Sequence, residues 1–131
     1  MPTPLPPAAV QACLAALSEA QVELAAARYP EAFQLLERAH VLGQRKLSLH
    51  WAVHCAMLRV ALAQRDRREI GGQLLRLLLT PLGHLFGRLP LGNTGGSRVD
   101  PFMPMPISDE LRALLNGQTE QAPSRGIPEN R

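Results

Sequence analysis

A chain of 131 residues with a net charge of +3 fits one domain and leaves no room for a second independent core. Hydrophobic residues make up 46% of it but aromatics only 4%, so Leu and Ala must supply the packing, and both favour helices over strands. The basic excess is small and no aromatics alternate with the arginines as a base-stacking surface requires, which argues against a nucleic-acid partner.

The apolar run around Leu74–Leu79 is far shorter than the ~20 residues of a membrane span. MPTPLPPAAV lacks the basic start and long apolar stretch of a signal peptide. The chain therefore reads as cytoplasmic, with Cys13 and Cys55 as small buried hydrophobes rather than a disulfide.

The twelve prolines divide the chain. After four in the first seven residues, the proline-poor stretches rich in Ala and Leu are where continuous helices can form. The first helix is predicted from Pro7 to about Ala27, with Val10, Cys13, Leu14, Leu17 and Leu24 at helical spacing. Pro30 opens the second, Glu31 lies in its first turn, and Gly43 ends it. Ala32, Phe33, Leu36, Ala39 and His40 share its inner side.

The third helix spans about Lys46 to Arg65 with an inward stripe of Leu47, Trp51, His54, Leu58, Ala61 and Leu62. His50 and Met57 lie at that stripe's edge. The fourth follows the turn RDRRE, buries Ile70, Leu74, Leu77 and Leu78, and bends or stops at Pro81. Residues 87–107 (GRLPLGNTGGSRVDPFMPMPI) carry no period. Phe102, Met103 and Met105 mark that segment as packed on the core rather than free. Ser108 caps a short last helix ended by Gly117, and a polar tail over 118–131 is predicted to be disordered.

The chain thus reads as an all-α protein: an up-and-down bundle of about four helices with a long irregular loop and a short C-terminal helix. Residues 1–117 form its single domain.

The chemistry-bearing stretch is ERAHVLGQRKLSLHWAVH. Glu37 and His40 stand three apart on one helix, and His50 and His54 stand four apart on the next, so each pair shares a helix face. Carboxylate and imidazole together suit iron, manganese or zinc. With the turn near Gln44 and a rise of ~1.5 Å per residue, His40 comes level with His50, and Glu37 with His54. Glu37, His40, His50 and His54 are therefore the candidate ligands of a transition-metal ion.

The competing account is structural: a buried His54 bonded to Glu37 or to a backbone carbonyl. His84 could fold back over the bundle. A haem would use His50 or His54 with Met57, but the few aromatics fit a bare ion better. PLGNTGGS lacks the GKS/T ending and preceding strand of a phosphate loop, and reads as a tight turn through Asn93 and Gly95–Gly96. No serine or cysteine has a catalytic context, so catalysis would require an open position on a bound metal.

ELAAARYPEAFQLLERAHVLGQ resembles the core of a tetratricopeptide repeat, with Ala27, Tyr29, Glu31, Ala32, Leu36 and Ala39 at the landmark positions. That resemblance implies packing of helix pairs. It also implies an interaction role, with the arginines of the fourth helix (Arg65, Arg67, Arg68 and Arg76) facing an acidic protein partner. From about Leu24 to Leu115 the chain resembles a small bacterial family of unknown function, through ERAHVLGQ, the His-x-x-x-His helix, PLGNTGG and PMPI. This second resemblance implies a cytoplasmic helical protein and brings no activity with it.

Overall fold

A computed structural model describes residues 3–118, and all but the first residue of the tail expected over 118–131 lies outside them. The described chain is all-α: α1 Pro7–Ala25, α2 Tyr29–Gly43, α3 Leu47–Ala63, α4 Arg67–Phe86 and α5 Asp109–Leu115. None of these helices is long and apolar enough to cross a membrane.

Each of the four main helices packs on its neighbours in sequence, and α5 lies against α1 and α2. Among the described residues, α3 is the only helix that α4 packs against. The segment after α4 lies between α4 and α2. There Gly95 presses on the His40 ring, Gly96 on the Phe33 ring, and Ser97 on Gly72.

The α1–α2 seam is built from small residues. Ala9, Cys13, Ala16 and Ala20 on α1 meet Ala32, Leu36 and Ala39 on α2, all buried. Cys13 donates through its thiol to the Ala39 carbonyl at 3.4 Å. The helices approach so closely at the α2 end that a Cβ on Gly43 would lie 2.8 Å from Cys13 Sγ. The inward residues of α1 are therefore chiefly alanines; Leu14, expected inside, is exposed. Cys55 is only half-buried.

The predicted phase of α3 is displaced around its axis. Leu49, His50, Val53, His54, Met57, Val60 and Ala61 are buried, whereas Leu47, Trp51 and Leu62 face solvent. The helix is covered on two sides, by α2 and by α4, so its buried arc is centred between them rather than beneath its bulkiest side chains.

The phase of α4 is wrong in a more informative way. Its buried residues are Glu69, Gln73, Arg76 and Thr80, all polar and at helical spacing. The predicted inward Leu74 and Leu78 are exposed, Leu78 to 67%. Nor does Pro81 end the helix, which continues to Phe86. Gly87, at φ 64°, closes it in a left-handed turn, with Arg88 N donating to the Gly83 carbonyl at 2.9 Å. At the other end Asp66 caps α4 by accepting from Glu69 N at 3.1 Å.

Segment 87–107 packs through its backbone and its polar groups. Gly92, Asn93, Gly95 and Gly96 are buried. Phe102 and Met103, expected in the core, are 70% and 56% exposed. The turn expected at Asn93 forms, with Asn93 Oδ1 accepting from Gly95 N at 2.8 Å.

Candidate metal centre

His40 occupies the last turn of α2, and His50 and His54 lie one turn apart on the side of α3 that faces it. The hairpin brings the three rings to one point. His40 Nε2 is 3.0 Å from His50 Nε2 and 3.1 Å from His54 Nε2, and the latter two are 3.1 Å apart. All three residues are buried, and close enough together to hold one metal ion. Three imidazoles bonded to a tetrahedral ion at ~2.0–2.1 Å stand ~3.3 Å apart, close to this triangle.

The other ring nitrogens show which tautomer His40 and His54 adopt. His40 Nδ1 lies 2.5 Å from the Asn93 carbonyl, which can only accept, so Nδ1 carries the proton. His54 Nδ1 lies 2.7 Å from Gln73 Oε1. The Gln73 amide is itself oriented, since its Nε2 donates to Glu69 Oε1 at 2.7 Å and to the Gly95 carbonyl at 2.9 Å. His54 must therefore donate to Gln73.

His50 Nδ1 faces His84 Nε2 at 2.9 Å. The proton between these two rings is carried by one of the facing nitrogens, His50 Nδ1 or His84 Nε2. His40 and His54 thus spend their N–H outward and turn a bare Nε2 lone pair inward. Lone pairs meeting in a low-dielectric interior repel one another, and a cation among the three Nε2 atoms would convert that repulsion into bonds.

The rings are also held neutral. Burial, reinforced by the His54 ring and opposed by the Asn93 carbonyl, drives His40 down to about 3. Burial brings His54 to about 4 against the raising effect of Gln73. Burial and the other imidazoles push His50 lower still. Neutral imidazole is the form that ligates a metal.

Two polar networks hold these acceptors in place. Glu69 accepts from Ser97 N at 3.1 and 3.2 Å and from the Ser97 hydroxyl, completing a Glu69–Gln73–His54 relay. Asn93 donates to the carbonyls of Asp100 and Met103, both at 2.8 Å, which fixes the backbone that serves His40. Arg76 reaches the carbonyls of Gly96 and Val99 at 2.7 Å. Gly95, at φ 84°, is required twice over, because a Cβ there would stand 2.5 Å from His40 Cδ2.

A cavity of about 560 Å³ opens on the three histidines, bounded by the second half of α4 and the following loop. That volume is in the range of small-molecule sites.

Of the four candidate ligands, His40, His50 and His54 are brought together and Glu37 stands outside their cluster. Glu37 is half-buried, and its carboxyl is raised by that burial and by nearby Glu69. His54 finds its outer partner in Gln73 instead. Arg76, expected on a basic surface, is buried against the loop, while Arg65, Arg67 and Arg68 remain exposed.

Gln73, Glu69 and Asn93 were not expected as supports of the site, whereas His84, weighed as a ligand that could fold back over the bundle, meets the outer nitrogen of His50. The available signal was the polar series Glu69, Gln73, Arg76, Thr80 at helical spacing. His84 reaches His50 because α4 runs through Pro81 for another turn.

Fold and site together define an all-α protein with a buried three-histidine cluster that can hold a metal. Comparison of the sequence with known families places the chain in one: it belongs to DUF3703, described as a protein of unknown function, which matches residues 8–115. No curated protein matches the chain, and no solved structure matches it.

Proposed function

We propose that this protein binds a single divalent transition-metal ion through Nε2 of His40, His50 and His54. The observation that carries the reading is the near-equilateral triangle of three buried, inward-facing imidazole nitrogens, with the opposite nitrogens of His40 and His54 committed to acceptors and that of His50 bonded to His84. Structural histidines need satisfy only their N–H groups. Three imidazole Nε2 atoms converging on one point, each with its opposite nitrogen hydrogen-bonded, is the arrangement of a metal site with its outer hydrogen bonds in place.

Three imidazoles without a carboxylate or thiolate suit zinc, copper, nickel or ferrous iron better than manganese, which prefers oxygen donors. Zinc fits best, since three protein ligands and one open position make a familiar tetrahedral zinc site. With the fourth position on a cavity, the ion would be a reactive or ligand-exchanging centre rather than a closed structural one.

The test is elemental analysis of the protein purified without a histidine tag, beside the His50→Ala/His54→Ala variant. The expected result is about one metal ion per chain in the first and none in the second. Equal metal content in a folded variant sinks the reading.

A further inference from the structure

The cavity beside the three histidines has an unusual balance of charge. Its lining contains two arginines, Arg76 and Arg88, and no aspartate, glutamate or cysteine. Arg76 is buried, and its guanidinium hydrogen bonds go to neutral backbone carbonyls. The three imidazoles, being neutral, would leave a bound dication's charge uncompensated. The carboxylates of Glu69 and Asp100 lie near Arg76 but outside the lining, so it is an ion of charge +2 on neutral ligands in this low-dielectric cavity that calls for an anion.

The rest of the wall says what kind of anion. Leu79, Leu82, Phe86, Leu89, Pro101 and Phe102 surround the cavity with hydrocarbon. Phe86 and Phe102, each 70% exposed, stand at its mouth. Hydroxide or chloride would satisfy the charge and leave this apolar volume without a use.

Resting on the metal-binding reading above, we infer that the ion's open position takes a small organic anion, a carboxylate with an apolar body. Its oxygen replaces solvent on the metal, Arg76 and Arg88 supply the balancing field, and the hydrocarbon wall accepts the tail.

Cobalt(II), whose visible spectrum reports coordination, is the probe to load into the wild-type protein in place of the native metal. Acetate, hexanoate, hexanol and hexylamine are then titrated in. Hexanoate is expected to perturb the cobalt bands and to bind on the order of 10²-fold tighter than acetate, from ~0.8 kcal/mol for each of the four added methylenes. Hexanol and hexylamine should leave the bands unchanged at the same concentrations. The charge reversal Arg88→Glu should weaken hexanoate about tenfold and, by the same electrostatics, should hold cobalt at least as tightly as the wild type.

Failure to load cobalt overturns the metal reading itself. Cobalt that loads but responds equally to acetate and hexanoate, or to none of the four, overturns the organic-anion inference and leaves the metal reading standing. An undiminished hexanoate affinity in Arg88→Glu removes the arginine from the site.

Discussion

The two sides of α3 are built on opposite principles. Towards α1 and α2 the interior is Ala, Cys, Leu, Val and Met, and any of these would serve an ordinary helical core. Towards α4 and the loop it is three histidines, Gln73, Glu69, Arg76 and Asn93, and no buried side-chain nitrogen or oxygen among the described residues lacks a hydrogen-bond partner. The first region is held by dispersion and the removal of apolar surface from water. The second exchanges hydrogen bonds with water for hydrogen bonds within the protein at little net gain. Stability does not account for such an interior, because apolar residues of similar volume would do as well or better. The difference between the halves is what the proposed metal site rests on.

That contrast can be broken or sharpened by substitution, beginning with the largest change in stability. Leu36→Ala, in the apolar half, should destabilise by ~2–5 kcal/mol through the cavity it leaves, with metal affinity of the folded protein unchanged. Chemical denaturation and a competitive zinc titration measure the two quantities separately. Gln73→Leu, in the polar half, removes the acceptor of His54 and the donor to Glu69 and Gly95. It should cost ~1–3 kcal/mol in stability. Its distinguishing effect is a ~10–100-fold loss of metal affinity, the usual penalty for removing an outer partner of a ligand. If Leu36→Ala weakened the metal as much as Gln73→Leu, the division between the halves would fail.

A smaller contrast lies in pH. Metal-free protein prepared with a chelator keeps His40 and His54 neutral down to about 3 and 4, well below their ordinary 6.5. The unfolded chain takes up these protons first, so stability contributed by the polar half is intact above pH 6.5 and declines as pH falls toward 4. The apolar half fails at the other end of the scale. Burial raises the Cys13 thiol from 9.0 to about 11, so the unfolded chain loses its proton first and stability declines as pH rises between those values. Unfolding midpoints across pH should show both limbs. Cys13→Ala should flatten the alkaline limb alone.

How much of this was legible in the sequence follows the same division. The number and type of the helices, the Ser108 cap and the Gly117 end could be read because prolines, caps and apolar runs act locally, whereas Gly43, expected as a cap, is the last helical residue and Gln44 follows it in the cap position. The convergence of His40 with His50 and His54 could be read because two helices joined by a tight turn have a calculable register. What failed was everything α4 contributes. Periodicity assumes that the apolar face is inside, and α4 buries its polar face beneath a segment with no period of its own. Asn93 meets His40 across 53 residues, a pairing no local pattern reveals. Glu37 was chosen because Glu-x-x-His shares a helix face, but spacing cannot show that Gln73, from another helix, already occupies the outer nitrogen of His54.

The central claim is that three imidazole nitrogens of one hairpin ligate one metal ion. X-ray absorption at the edge of zinc bound to the untagged protein tests it most directly. The account predicts about three nitrogen scatterers at ~2.0–2.1 Å, one further light-atom ligand and the outer-shell pattern of imidazole rings. A shell dominated by sulfur at ~2.3 Å, or one of light atoms without imidazole scattering, would contradict it.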